Sequence, residues 1–217
     1  MATKNEISQL DALEHIRARP GMYIGRLGDG TTSADGIYTL LKEILENSIT
    51  ALKVSEGKTL KIKISNQSKL GQEIQIKDSG CGMPTEALLE LVSKIHTELT
   101  FQGFQKPANS NGVGLKAVNA LSAQFTAITQ RDGKAKKIYF EQGRLINERI
   151  LKGSKSNGTT IKFVPDPMIF GEYKLKNQHI QKMLYTYSRQ NPRLEIDLVI
   201  GKEKLNYRGP EAGIIDF

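Results

Sequence analysis

One stretch limits the fold more than any other: an apolar stripe at helical spacing that runs directly into alternating strands. Ile37, Leu40, Leu41, Ile44, Leu45, Ser48 and Leu52 recur at the interval of a single helix face. The pattern predicts a long helix, capped by Ser33 or Asp35 and running to about Val54. Residues 59–66 and 72–77 then alternate apolar and polar, as an antiparallel pair joined by a polar turn. A helix with one apolar face beside strands with one apolar face calls for layered packing.

The rest of the chain repeats this alternation. A helix over 10–19 is stopped by Arg19-Pro20-Gly21, and Pro84 is placed to open a second helix over 85–95. Residues 96–114 carry no clear period, and a helix over 113–121 follows them. Strands are expected at 123–131, 134–141 and 144–151, with turns at Arg131-Asp132-Gly133 and Gln142-Gly143. A strand at 159–164, a helix at 173–187 and a hairpin of 194–200 with 203–208 complete the reading. The fold class is α+β: a sandwich with a mixed, mostly antiparallel sheet and helices on one face. At 217 residues one domain suffices to bury a sizeable core.

Charge and cysteine use narrow the setting. The single cysteine, Cys81, excludes an internal disulfide and fits the reducing cytoplasm. No apolar run is long enough to span a bilayer, so no membrane partner is expected. Net charge is +8, but Lys134, Lys136, Lys137, Lys152, Lys155, Lys174 and Lys176 are scattered through the sequence. Such scatter reads as a solvated surface, with no basic helix or aromatic-interleaved stripe.

Four separated features carry chemistry. Glu43 and Asn47 stand one helical turn apart, so they share a face. The carboxylate could deprotonate a water, and the amide oxygen could serve Mg²⁺. A solvated face made with Lys42 and Glu46 would read the same way. Asp78-Ser79-Gly80-Cys81-Gly82-Met83-Pro84 follows a strand. Asp78 could accept an exocyclic amine, with the glycines allowing close approach and Met83 packing on a base. An ordinary strand–turn–helix junction would look alike. Asn111-Gly112-Val113-Gly114 enters a helix, where backbone N–H groups can meet phosphate, although a lone Gly-x-Gly is common. Gly158-Thr159 opens a strand and is, by spacing alone, a turn.

In this order the four features resemble the N, G1, G2 and G3 boxes of the GHKL ATPases, which share the Bergerat fold. The segment Ile16-Arg17-Ala18-Arg19-Pro20-Gly21-Met22-Tyr23-Ile24-Gly25 is similar to a signature of bacterial type IIA topoisomerase B subunits. Val118-Asn119-Ala120-Leu121-Ser122, Gln130-Arg131-Asp132-Gly133 and Gly158-Thr159-Thr160-Ile161-Lys162-Phe163 extend the likeness over roughly residues 11–217. The resemblance implies an ATP-binding and hydrolysing domain that uses ATP with Mg²⁺. It implies Glu43 as general base, Asn47 as Mg²⁺ ligand with Glu46 beside it, and Asp78 as adenine acceptor with Thr159. Gly80, Gly82 and Met83 would floor the base pocket. Asn111, Gly112, Val113 and Gly114 would meet the phosphates, and Arg131 would form the rim on which aminocoumarin inhibitors pack.

The same resemblance sets out the organisation. Residues 1–217 form one GHKL domain, with 1–10 a flexible arm, 96–111 the ATP lid, and no transducer or Toprim domain. In the full-length protein it implies an ATP-driven homodimer, an A subunit of the gyrase or topoisomerase IV type, and DNA strand passage. Several positions depart from the family pattern. Glu46-Asn47 stands for the usual Asp-Asn, Thr50-Ala51 for an acidic pair, Thr100 for a lid lysine and Cys81 for an arginine. These departures leave open an alternative, a nucleotide-binding module with impaired hydrolysis.

Overall fold

The computed structural model of the protein describes residues 12–68, 70–94 and 112–209. The arm at 1–10 and the lid at 96–111, with Thr100 and Asn111, lie outside the described residues. The chain opens with α1 (12–18) and α2 (Gly21–Ile24), then the long α3 (Gly36–Val54). Next come β1 (Thr59–Ser68), β2 (Gly71–Asp78), α4 (Leu88–Ser93) and α5 (Gly114–Ala120). Four strands follow: β3 (Ser122–Arg131), β4 (Lys134–Glu141), β5 (Arg144–Leu151) and β6 (Gly158–Pro165). The chain then forms α6 (Pro167–Phe170), α7 (Asn177–Gln190), β7 (Glu195–Ile200) and β8 (Glu203–Arg208).

All eight strands join in one sheet, in the order β5-β4-β3-β6-β2-β1-β7-β8. Every pairing is antiparallel except β1 with β7. Alternation along each strand sends one set of side chains toward the helices. Ile62, Ile64, Ile74, Ile76, Phe125, Ala127, Ile161 and Phe163 form that inner face. They pack with Leu40, Leu41, Ile44, Leu45 and Leu52 of α3 and with Leu115 and Val118 of α5 in one continuous core. This is the expected α+β sandwich, and the stripe that predicted α3 is the stripe that is buried.

Three differences have physical causes. Residues 85–87 form a turn, and α4 is shorter than the expected 85–95. The N–H of Met83 donates to the Thr129 hydroxyl, which in turn donates to the Met83 carbonyl, each at 2.8 Å, so this stretch is pinned to β3. Helix α7 begins at Asn177, not 173, because three successive N–H groups have partners elsewhere. Lys174 donates to the Asp29 carbonyl, Leu175 to Gln72 Oε1 and Lys176 to the Tyr38 hydroxyl. Asp35 does precede α3, but its carboxylate does not cap the helix. It turns back to accept from Gly30 N–H, Thr32 N–H and the Thr32 hydroxyl, at 3.0, 3.1 and 2.6 Å, and folds the glycine-rich loop onto itself.

A buried ion pair ties the start of the described chain to the sheet. Arg17 donates to the Ala120 carbonyl and to Asp166 Oδ2, both at 2.6 Å. Asp166 is fully buried; it caps α6 through the Met168 N–H and accepts from Gln142 as well. Removing one partner of such a pair strands a buried charge. Arg17→Ala is therefore expected to destabilise the fold by about 3 kcal/mol, read by chemical denaturation, with Asp166→Asn costing less because the charge it leaves unpaired, on Arg17, keeps 20% of its side chain exposed.

Candidate functional site

The first, second and fourth chemical features converge on a cleft between α3 and the inner face of the sheet. Its walls are Ile44, Asn47, Ser48 and Ala51 of α3, Asp78 of β2, Cys81, Gly82 and Met83 of the following loop, Leu115 of α5, and Thr159 and Ile161 of β6. The space within it, counting the solvent at its open mouth, is about 440 Å³. The walls are mostly apolar, with a few convergent polar groups, which is the usual make-up of a small-molecule site.

Asp78 lies at the cleft floor, 4% exposed. Its Oδ1 accepts from the N–H groups of Gly80 at 2.9 Å and Thr159 at 3.2 Å. Its Oδ2 accepts from the Ser48 hydroxyl at 3.0 Å. A carboxylate has about four acceptor positions, so Oδ2 keeps capacity for one more donor. Register explains the cluster: Asp78 pairs with Thr159 across β2 and β6, and Thr159 pairs with Thr129 across β6 and β3. The fourth feature, Gly158-Thr159, is thus part of the floor and not a simple turn.

Gly82 has φ +69°, and a side chain there would collide with the Gln130 carbonyl on β3. The loop consequently lies flat against the sheet. Arg131 donates from Nη1 to the Gly82 carbonyl at 3.2 Å and lies 3.3 Å from Asp132, which fixes its guanidinium at the rim. Cys81 is half-buried beside it, and burial pushes its thiol upward against the pull of Arg131. Ala51 packs on Gly80, so the two departures from the family pattern, Ala51 and Cys81, both give apolar wall.

At the other end of the cleft the Glu43 carboxylate lies directly on Gly114, at the entrance to α5. A side chain at 114 would take the space of that carboxylate and make Glu43 swing aside. Glu43 is half-buried; burial and the nearby Glu46 raise its pKa, against the pull of Lys42. Gly112 is in the left-handed region at φ +64°, Val113 precedes α5, and the ammonium of buried Lys116 donates back to the Gly112 carbonyl at 2.5 Å. Along α3 the Glu43 end and the Ser48–Ala51 end are separated by about 8–12 Å.

Glu46, also expected at the site, does not line the cleft. It is exposed, accepts from the Tyr187 hydroxyl of α7 at 2.9 Å and lies 3.7 Å from Lys42. Ser48 and Thr129, by contrast, belong to the site without having been singled out for it. A serine among the leucines of the α3 stripe was the available signal for Ser48; Thr129 carried none beyond alternation. Among the described residues no group of three or more His, Cys, Asp or Glu side chains is arranged to hold a metal, and no helix is long and apolar enough to cross a membrane.

Residues 32–167 match the family described as histidine kinase-, DNA gyrase B-, and HSP90-like ATPases. The chain is 40% identical over 196 residues to the B subunit of DNA topoisomerase 4 from Borreliella burgdorferi, a match covering 89% of this chain and 32% of that protein. It is 29% identical over 207 residues to the B subunit of the type 2 topoisomerase of Aquifex aeolicus, covering 90% and 25%. The chain thus spans about a third or less of the length of these relatives. The 43K ATPase domain of Thermus thermophilus gyrase B, solved in complex with an aminocoumarin, matches with a TM-score of 0.79 at 24% identity. That match covers 95% of this chain and 54% of the other, and it shows the same fold.

The buried Asp78 has a thermodynamic signature. Burial lifts its carboxyl from 3.8 to about 6, against the opposing pull of Gly80 N–H, the Ser48 hydroxyl and Thr159 N–H. Between those two values the folded chain holds a proton that the unfolded chain has released. The stability this group contributes is therefore fully present below the unfolded value and lost as pH rises through about 6. A shift of this size corresponds to roughly 3 kcal/mol. Asp78→Asn keeps an oxygen for the two backbone donors and lets Ser48 accept instead of donate. The variant, free of ligand, is expected to match wild type near pH 4 and to exceed it by roughly 2–3 kcal/mol at pH 8, measured by denaturation across pH.

Proposed function

The chain belongs to the family of histidine kinase-, DNA gyrase B- and HSP90-like ATPases, and we propose that its cleft binds ATP with the base on Asp78 and the phosphates toward Gly112, Val113 and Gly114. The observation that carries this reading is the remaining acceptor capacity of the Asp78 Oδ2 at the floor of an otherwise apolar cleft. An exocyclic amine of adenine can fill it; the carbonyl that guanine presents in its place would meet acceptor with acceptor. Met83 and Ile161 supply apolar surface for the base, and Arg131 closes the rim.

Hydrolysis is assigned to the other end. Glu43 abuts the entrance to α5, where the terminal phosphate would lie, and its raised pKa makes it a better proton acceptor than an exposed carboxylate. The residues present fit a Mg²⁺ ion: Asn47 turns an amide group into the cleft one helical turn from Glu43, and phosphate oxygens would complete the donor set. When bound, the ion neutralises phosphate charge. The chain itself orients the nucleotide, excludes water from the base and holds the accepting carboxylate; in phosphoryl transfer, positioning and charge neutralisation supply most of the catalysis. In the setting of the full-length relatives, this is the ATPase domain of a cytoplasmic type II topoisomerase B subunit, working as an ATP-closed dimer with an A subunit to pass DNA.

Calorimetry with a non-hydrolysable ATP analogue tests the base-binding end. Wild type is expected to bind, and Asp78→Asn to bind about 10- to 150-fold more weakly while remaining folded, because a donor replaces the free acceptor. Absence of wild-type binding would overturn the assignment. For the catalytic end, Glu43→Gln is expected to retain analogue binding and to slow hydrolysis by on the order of 10²- to 10⁴-fold. Turnover unchanged in that variant would remove Glu43 from the role of base.

A further inference from the structure

Basic residues distant from one another in sequence are gathered by strand register on the outer face of the sheet, opposite the helices. One cross-strand row reads Asp197, Lys61, Lys77, Thr160, Ile128, Lys137, Arg149, each residue directly paired with the next from β7 to β5. Strands lie about 4.8 Å apart, so Lys61 and Arg149 are separated by roughly 24 Å. The next row toward the other end of the strands contributes Lys63 and Lys162. The lysines point outward, because their neighbours Ile62, Ile76, Ile138 and Ile161 are buried on the inner face, and Arg149 shares the face of its partner Lys137.

Two features of the row are costly for a structure that keeps it bare. Lys61 faces Lys77 across β1 and β2, and Lys137 faces Arg149 across β4 and β5; like charges placed directly opposite destabilise a sheet. Among the described residues none of these four cations forms an ion pair. The acids nearby are engaged elsewhere: Glu73 with Lys162 at 3.1 Å and Asp197 with the Asn206 amide at 2.6 Å. Lys61, Lys63 and Lys204 also share one concave groove with Gln75, Asn206 and a single acid, Asp197.

We propose that this outer face binds the phosphate backbone of double-stranded nucleic acid. The two cation pairs are separated by about 14 Å, three strand spacings, too far for one nucleotide's phosphates and suited to separate phosphates of one duplex. The face presents no fully exposed apolar anchor of the kind an interface with a protein would use: Ile128 and Val199 are half-buried, and its aromatic, Tyr139, is turned to Glu141 at 2.5 Å. Contacts to phosphate alone carry no base preference, so binding is expected to be independent of sequence.

The test is fluorescence anisotropy with a labelled ~30-base-pair duplex between about 50 and 200 mM salt, using the chain itself. Wild type is expected to bind with a steep salt dependence. The pairs Lys61→Glu with Lys77→Glu and Lys137→Glu with Arg149→Glu are each expected to weaken binding at least tenfold and to flatten the log–log salt slope by about 2. ATP-analogue binding, measured in parallel, is expected to be unchanged. Should a reversed pair fail to fold, the glutamine versions, which relieve the like-charge contact, carry the same expectation in milder form. No duplex binding by wild type, or binding indifferent to both pairs, would overturn the proposal. So would a polyglutamate peptide that binds with equal affinity and the same lysine dependence, which would assign the face to an acidic protein.

Discussion

The burial of one carboxylate organises the inner half of the molecule. Moving an ion from water into a protein interior costs several kcal/mol even after relaxation, and Asp78 recovers only part of that through three hydrogen bonds. None of its partners carries a charge. The residual cost appears as the upward displacement of its pKa to about 6. Each partner comes from a different element: Ser48 from α3, Gly80 from the loop after β2, and Thr159 from β6. Satisfying Asp78 therefore fixes the helix, the loop and two strands against one another, and the cleft is the space these constraints leave.

The opposite end of the cleft is marked by a close approach. The Glu43 carboxylate fills the space beside Gly114 that a Cβ there would take, at the start of α5. Helix α3 links the two ends as a rigid spacer, since its buried face runs from Ile37 to Leu52 without interruption. A ligand that reaches both ends must present a donor to Asp78 and be long enough to arrive at Glu43 and the start of α5. The cleft thus selects for length as well as for composition.

Where pattern is local, the sequence was informative. The α3 stripe, the alternation of β1, β2, β3 and β4, and the turns at Asp132-Gly133 and Gln142-Gly143 all depend on near neighbours, and each was legible. What was not legible involves partners far along the chain. Helix α7 starts late because Lys174, Leu175 and Lys176 bond to Asp29, Gln72 and Tyr38. Glu46 accepts from Tyr187, distant in sequence though adjacent in space. Ser48 looked like one more position of an apolar face because its partner Asp78 is on a strand whose register no single segment discloses.

The outer lysines show the same principle on the largest scale. Their row runs through β1, β2, β6, β3, β4 and β5, an order that no scan along the chain can supply, so dispersed charge became contiguous only on folding. Because side chains alternate, Lys77 and Asp78 are adjacent in sequence yet serve opposite faces. Charge on one face should then disturb the other little: at about 15 Å in water a unit pair interacts by roughly 0.3 kcal/mol, and physiological salt screens beyond about 8 Å. A period of two thus lets a single sheet keep an ionised group in an apolar cleft and a cationic surface in solvent. Neither arrangement has to be weakened for the other.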